Sequence, residues 1–122
     1  FACDVIEPEI EFLQQWFHFE KIDGIAFLCD LLVEIPQQEA DLTLMLKTLP
    51  ILDQVDPDFS RNLLNHLNSK YILISYPTKS LGGRSKGMAQ TYSNSFNELI
   101  QEFSFQVQRF DFPNEIAFLL TR

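Results

Sequence analysis

Short apolar runs of strand length alternate along this chain with stripes of helical spacing, and that alternation restricts it to a sheet covered by helices. Phe1-Ala2-Cys3 is apolar and stops at Asp4, as a buried strand would. Glu7-Pro8-Glu9 predicts the start of a helix, because proline is tolerated in a first turn and acids suit the positive dipole end. Ile10, Leu13, Trp16 and Phe17 then recur at helical spacing and predict its core face. That helix should end before Asp23-Gly24, and Ile25–Cys29 is the next buried run, closed by Asp30. Ala40–Leu46 alternates as a third strand. Lys47-Thr48-Leu49-Pro50 turns the chain into a short helical stretch ending near Gln54, and Asp56-Pro57 caps a helix marked by Phe59, Leu63, Leu64 and Leu67. Tyr71–Tyr76 is the strongest strand, closed by Pro77. Met88, Tyr92, Phe96, Leu99 and Phe103 trace another helix. Phe105–Phe110 and Glu115–Leu120, joined by Asp111-Phe112-Pro113-Asn114, predict an antiparallel hairpin.

This order of elements predicts an open α/β sheet with a terminal hairpin, in one domain spanning residues 1–122. The size is right for one domain, and 46% apolar residues, twelve of them Phe, suffice for a real core. The chain begins at Phe1 and runs straight into apolar sequence, which suggests a fragment or a processed product. Two cysteines, Cys3 and Cys29, lack metal-ligand spacing and read as buried reduced thiols in a cytoplasmic protein. No apolar run is long enough to span a bilayer, so no membrane partner is expected.

In an open α/β sheet, ligands collect at the carboxyl ends of the parallel strands. Asp4, Asp30 and the loop after Ser75 all fall there on this reading. An acid closing a strand of a nucleotide-binding sheet can accept hydrogen bonds from two ribose hydroxyls; the same acid can equally serve the start of the following helix. Asp30 with Leu31 offers an acceptor for an amino group and an apolar wall for a ring, or else an acid that caps a loop.

A formal net charge of −8 excludes a broad nucleic-acid face. A local basic loop remains open, since Lys79, Arg84 and Lys86 fall within eight residues that contain no acid. Three of the four glycines lie between Ile74 and Met88, so the backbone there bends tightly or approaches something closely. Cations, hydroxyls and free amides in that segment suit phosphate oxygens, although the spacing is not that of a Walker loop.

The stretch Ser75-Tyr76-Pro77-Thr78-Lys79-Ser80-Leu81-Gly82-Gly83-Arg84, continued by Lys86-Gly87-Met88, resembles the signature loop of the aminoglycoside-resistance 16S rRNA guanine-N7 methyltransferases. Tyr92, Phe96 and Asn114-Glu115 also match that family's run, and Lys47-Thr48-Leu49-Pro50 with Leu52 and Gln54 is similar to its fourth-strand segment. The resemblance covers essentially the whole chain but only the C-terminal half of a family member. It implies a Rossmann-like sheet lacking its first strand and helix, and S-adenosylmethionine (S-adenosyl-L-methionine) as cofactor. Asp4 would then hold the cofactor ribose, Asp30 and Leu31 would flank the adenine, and Leu46 and Gln54 would line the pocket. Lys79, Ser80, Arg84, Lys86 and Met88 would face the RNA, with 16S rRNA of the small ribosomal subunit as partner. No residue would act as a general base, because guanine N7 already carries an exposed lone pair.

The family's glycine-rich cofactor loop should precede Asp4 and is not in this sequence, and Val5-Ile6 stands where relatives tend to carry a second acid. Two strand edges would then lack partners, to be closed by a rearranged sheet, a second copy of the chain or an N-terminal half. The fragment alone is expected to be inactive. The alternative reading is a non-catalytic RNA-binding or assembly module that kept the loop and lost the cofactor site.

Overall fold

The structure, a computed structural model, describes residues 1–79 and 87–122. Its elements run β1 (Ala2–Asp4), α1 (Glu7–Phe19), β2 (Ala26–Leu28), β3 (Ala40–Leu46), α2 (Leu49–Leu52), α3 (Phe59–His66), β4 (Ser69–Pro77), α4 (Met88–Ile100), β5 (Gln106–Phe112) and β6 (Glu115–Thr121). They fall into two compact units, Phe1–Gln38 and Glu39–Arg122.

In the first unit β1 and β2 are parallel, with Cys3 opposite Phe27 and Asp4 opposite Leu28. The connection between them is α1, as a parallel pair requires. Of its expected core face only Ile10 is buried; Leu13 and Phe17 are half-buried and Trp16 is 44% exposed. The helix stops earlier than Gly24. Lys21 takes the left-handed conformation at φ 54°, and Ile22 N–H closes the turn on Phe17 O at 2.8 Å. Gly24 serves space and not dihedral freedom: a Cβ there would lie 2.9 Å from the Phe17 ring. The run Ile25–Cys29 is less buried than its apolarity predicts, for only Ala26 is enclosed while Ile25 and Leu28 are exposed.

The second unit is a four-stranded sheet in the order β3-β4-β6-β5, parallel between β3 and β4 and antiparallel elsewhere. The short β5–β6 connection makes the expected hairpin. Its turn is tighter than predicted: Phe112 pairs with Glu115, so Pro113-Asn114 alone make the bend. Ile72, Ile74, Tyr76, Ile116, Phe118 and Leu120 line one face of this sheet and are buried with Phe59, Leu63 and Leu64 of α3 and Phe96 of α4. Each such aliphatic side chain contributes about 1.5–3 kcal/mol by leaving water. Alternation puts Leu42, Leu44 and Leu46 of β3 on the opposite face, where all three are about half exposed. Among the described residues β3 pairs with β4 alone and β1 with β2 alone, which fits the expectation of two strand edges without partners.

Two further ends differ from the sequence reading. The residue before α3 is Asp58, not Asp56, whose Oδ1 instead accepts the Asp58 N–H at 3.0 Å. The helix start is held by Asp53, which accepts from both Ser60 N–H (3.0 Å) and Ser60 O–H (2.7 and 2.8 Å). At the other end Arg122 donates to Leu64 O and Leu67 O, placing a cation on carbonyls at the end of α3, and to Ser69 O at the start of β4, all at 2.8–3.0 Å.

Candidate functional site

The parallel register of β1 and β2 brings Asp4 and the Cys29-Asp30-Leu31 segment to one edge of the first unit. The ladder extends one step past β2, because Cys29 N–H donates to Asp4 O at 2.9 Å. Asp4 Oδ1 accepts the Ile6 N–H at 3.0 Å, and Asp30 Oδ1 accepts the Leu32 N–H at 3.0 Å. Asp30 O also receives Val33 N–H and Glu34 N–H, both at 2.9 Å, so a tight turn fixes the carboxylate. Each aspartate thus has one oxygen held by backbone and a second with no partner among the described residues. Both carboxylates are exposed, while Leu31 is half-buried beside them. The helix-start role and the ligand role considered for Asp4 therefore coexist in one side chain.

The second unit gathers a different set at the carboxyl ends of β3 and β4. Leu46 pairs with Ser75, and Lys47 N–H donates to Ser75 O at 3.1 Å. Lys47 takes φ 60°, a left-handed conformation rare for a side-chain-bearing residue, and its Nζ meets Glu115 Oε2 at 3.1 Å. Ser75 is 1% exposed and its Oγ makes no direct hydrogen bond among the described residues. In the antiparallel ladder Ser75 opposes Ala117, so Glu115 lies two residues on along the same face. The Ser75 hydroxyl and the Lys47 ammonium together hold the Glu115 carboxyl below the usual glutamate range.

Helix α4 runs back along β4. Tyr92 stacks on Tyr76 at 5.2 Å, Phe96 stacks on Phe118 at 3.8 Å, and Phe118 pairs with Ile74. Its first residue Met88, after left-handed Gly87 (φ 79°), therefore lies toward the same end of β4 as Lys79. Lys79 is exposed and Met88 half-buried. Thr78 N–H donates to Asn114 O at 3.0 Å, tying the start of the loop to the hairpin turn.

Among the residues expected at a site, Asp4, Asp30 and Leu31 share one edge; Lys79 and Met88 lie toward the carboxyl end of β4, and Leu46 closes β3 on the sheet face opposite α4. Gln54 is exposed, and its side-chain amide donates to Pro50 O at 2.9 Å, so part of its polarity is spent on α2, which precedes it. Ser80, Arg84 and Lys86 lie outside the described residues. Sequence reading noticed Lys47, Ser75 and Glu115 only as parts of motifs. Their association depends on a parallel and an antiparallel pairing across more than 25 residues, for which local spacing carries no signal. No group of three or more potential metal ligands occurs among the described residues.

The depressed Glu115 carboxyl predicts a pH effect. A carboxyl depressed in the folded state contributes stability above its unfolded value, ordinarily 4.5 for glutamate, and that contribution is lost as pH falls through the folded value. Glu115→Gln is expected to lower stability at neutral pH and to leave it unchanged once the wild-type carboxyl is protonated. Urea midpoints measured against pH check this; parallel curves for the two proteins across the acid range would refute it.

The family model for the ribosomal RNA methyltransferase FmrO matches residues 1–119. A 16S rRNA (guanine(1405)-N(7))-methyltransferase of Frankia casuarinae is 34% identical across 99% of this chain, which covers 43% of that protein. The enzyme of the same description from Micromonospora rosea is 42% identical across 75% of this chain and 33% of its own length. Among solved structures, the 16S rRNA methyltransferase RmtF in complex with S-adenosyl-L-homocysteine superposes with a TM-score of 0.90 at 30% identity, covering 98% of this chain and 46% of RmtF. The chain thus spans less than half the length of these relatives.

Proposed function

Because this chain belongs to the FmrO family of ribosomal RNA methyltransferases, we propose that it serves S-adenosylmethionine-dependent methylation of guanine N7 in 16S rRNA of the small ribosomal subunit. The observation that carries the reading is the edge shared by Asp4 and Asp30, each with one carboxylate oxygen fixed and one without a partner among the described residues. That donor set fits the cofactor: acceptors on neighbouring strands suit ribose hydroxyls and an adenine amino group, and Leu31 supplies an apolar wall. When bound, the cofactor supplies an electrophilic methyl group on sulfur.

The chain's own work is positional. Asp4 and Asp30 fix the orientation of the cofactor through its sugar and base. Lys79 and Met88, with Ser80, Arg84 and Lys86, hold the RNA around the target guanine. The base must leave its stack to be reached, and aligning its N7 with the methyl is the main contribution to rate. N7 needs no deprotonation, so this chemistry requires no general base. Resistance to aminoglycosides follows if the methylated guanine lies within the drug's binding site.

The test joins this chain to the N-terminal part of the Micromonospora rosea relative and incubates the chimera with small ribosomal subunits and S-adenosylmethionine. Nuclease digestion and mass spectrometry are expected to detect 7-methylguanosine in 16S rRNA, while the chain alone yields none. A folded chimera that binds both subunit and cofactor yet leaves guanine unmodified would favour the non-catalytic module.

A further inference from the structure

Taking Lys79 as an RNA contact, as the reading above does, we propose that Lys47 and Glu115 are positioning residues whose ion pair holds Thr78 and Lys79 at the exit of β4. In the strand order β3-β4-β6, Lys47 follows the end of β3 and Glu115 opens β6, with β4 between them. The 3.1 Å contact from Nζ to Oε2 therefore joins the strands on either side of the point where β4 ends at Pro77. Pro77 is the ladder partner of Glu115, and the next amide, Thr78 N–H, donates to Asn114 O at 3.0 Å. Lys79 follows directly. On the other flank Lys47 N–H donates to Ser75 O at 3.1 Å. Among the described residues this is the one ion pair that links the ends of separate strands.

The backbone of Lys47 indicates that its side chain is used. At φ 60° it holds a conformation that glycine takes without steric cost and a lysine does not. Stability alone does not offset that cost, because the Lys47 side chain is 53% exposed and that of Glu115 28%, and pairs this open to water contribute little. What the pair supplies is geometry. The left-handed turn lets one residue bond the β4 backbone through its amide and the β6 side chain through its ammonium. Three strand ends are thereby fixed around the residue that precedes Lys79.

Lys47→Met and Glu115→Gln each remove one charge, and the double exchange Lys47→Glu with Glu115→Lys restores the pair with its signs reversed. Amide hydrogen exchange in the isotope-labelled chain reads the hold on Thr78, and titration of small ribosomal subunits with the chimera reads its consequence for RNA. In each single variant Thr78 is expected to exchange several-fold faster relative to Ile74, whereas a global loss of stability raises both rates together. Affinity for the subunit falls several-fold, affinity for S-adenosylhomocysteine stays at the wild-type value, and the double exchange recovers both the Thr78 rate and subunit binding. An unchanged ratio of Thr78 to Ile74 rates, wild-type subunit affinity in the single variants, or a loss that the double exchange fails to repair would overturn the inference alone. A folded wild-type chimera that binds no subunit would overturn the methyltransferase reading, and this inference with it.

Discussion

Replacing Phe96 by alanine is expected to destabilise the second unit by about 3–5 kcal/mol, the range for truncating a buried aromatic. Phe96 is 1% exposed and lies at the crossing of α4 over the sheet. Its ring stacks on Phe118 with centroids 3.8 Å apart and planes 10° apart, and Tyr76 meets it edge-on at 6.3 Å. Truncation removes both contacts and leaves a cavity between helix and strands that neither can collapse to fill. Phe96→Leu keeps most of the volume and is expected to cost about 1–2 kcal/mol. Urea denaturation reads both, with the midpoint falling and the slope unchanged. A loss below about 1 kcal/mol for the alanine variant would mean that α4 does not hold the sheet as its stacking indicates.

Asp4→Ala is expected to weaken binding of S-adenosylhomocysteine by roughly 100-fold, since each hydrogen bond from a ribose hydroxyl to a carboxylate is worth about 1.5–3 kcal/mol. The same change removes the acceptor of the Ile6 N–H, at a stability cost of about 1 kcal/mol. Asp4→Asn separates the two effects. It retains an oxygen for Ile6 N–H, keeping stability near wild type, while losing the charge and roughly 10-fold in affinity by the weaker neutral hydrogen bond. Titration calorimetry on the chimera described above, with urea melts of the same variants, measures both quantities. Equal affinity for all three proteins would confine Asp4 to its structural role at the start of α1.

Much of this architecture was legible because it rests on local pattern. Strands β1, β3 and β4 and helix α4 follow from apolar runs and helical spacing, and the acids closing β1 and β2 mark the carboxyl edge where Asp4 and Asp30 meet. The errors share a cause as well. Trp16 fits the apolar stripe of α1 but remains 44% exposed, since periodicity reports which residues share a face and not what covers it. Gly24 read as a helix stop, whereas Lys21 adopts the left-handed turn and Gly24 makes room for a ring. Asp56 read as a cap, whereas the acceptor for the α3 start is Asp53, seven residues from Ser60. The four-residue hairpin connection shortened to two because Asp111 and Phe112 continue the β5 ladder. The Lys47–Ser75–Glu115 association arises only once β3, β4 and β6 lie side by side.

The most direct test of the cofactor reading is a titration of the isotope-labelled chain with S-adenosylhomocysteine, followed by amide NMR, which detects even weak binding. The expected result is a saturable shift of Asp4, Cys29, Asp30 and Leu31 resonances, absent with an analogue of S-adenosylhomocysteine lacking the ribose hydroxyls. Saturable shifts confined to residues away from that edge, or none at millimolar ligand with the chimera equally silent, would contradict it.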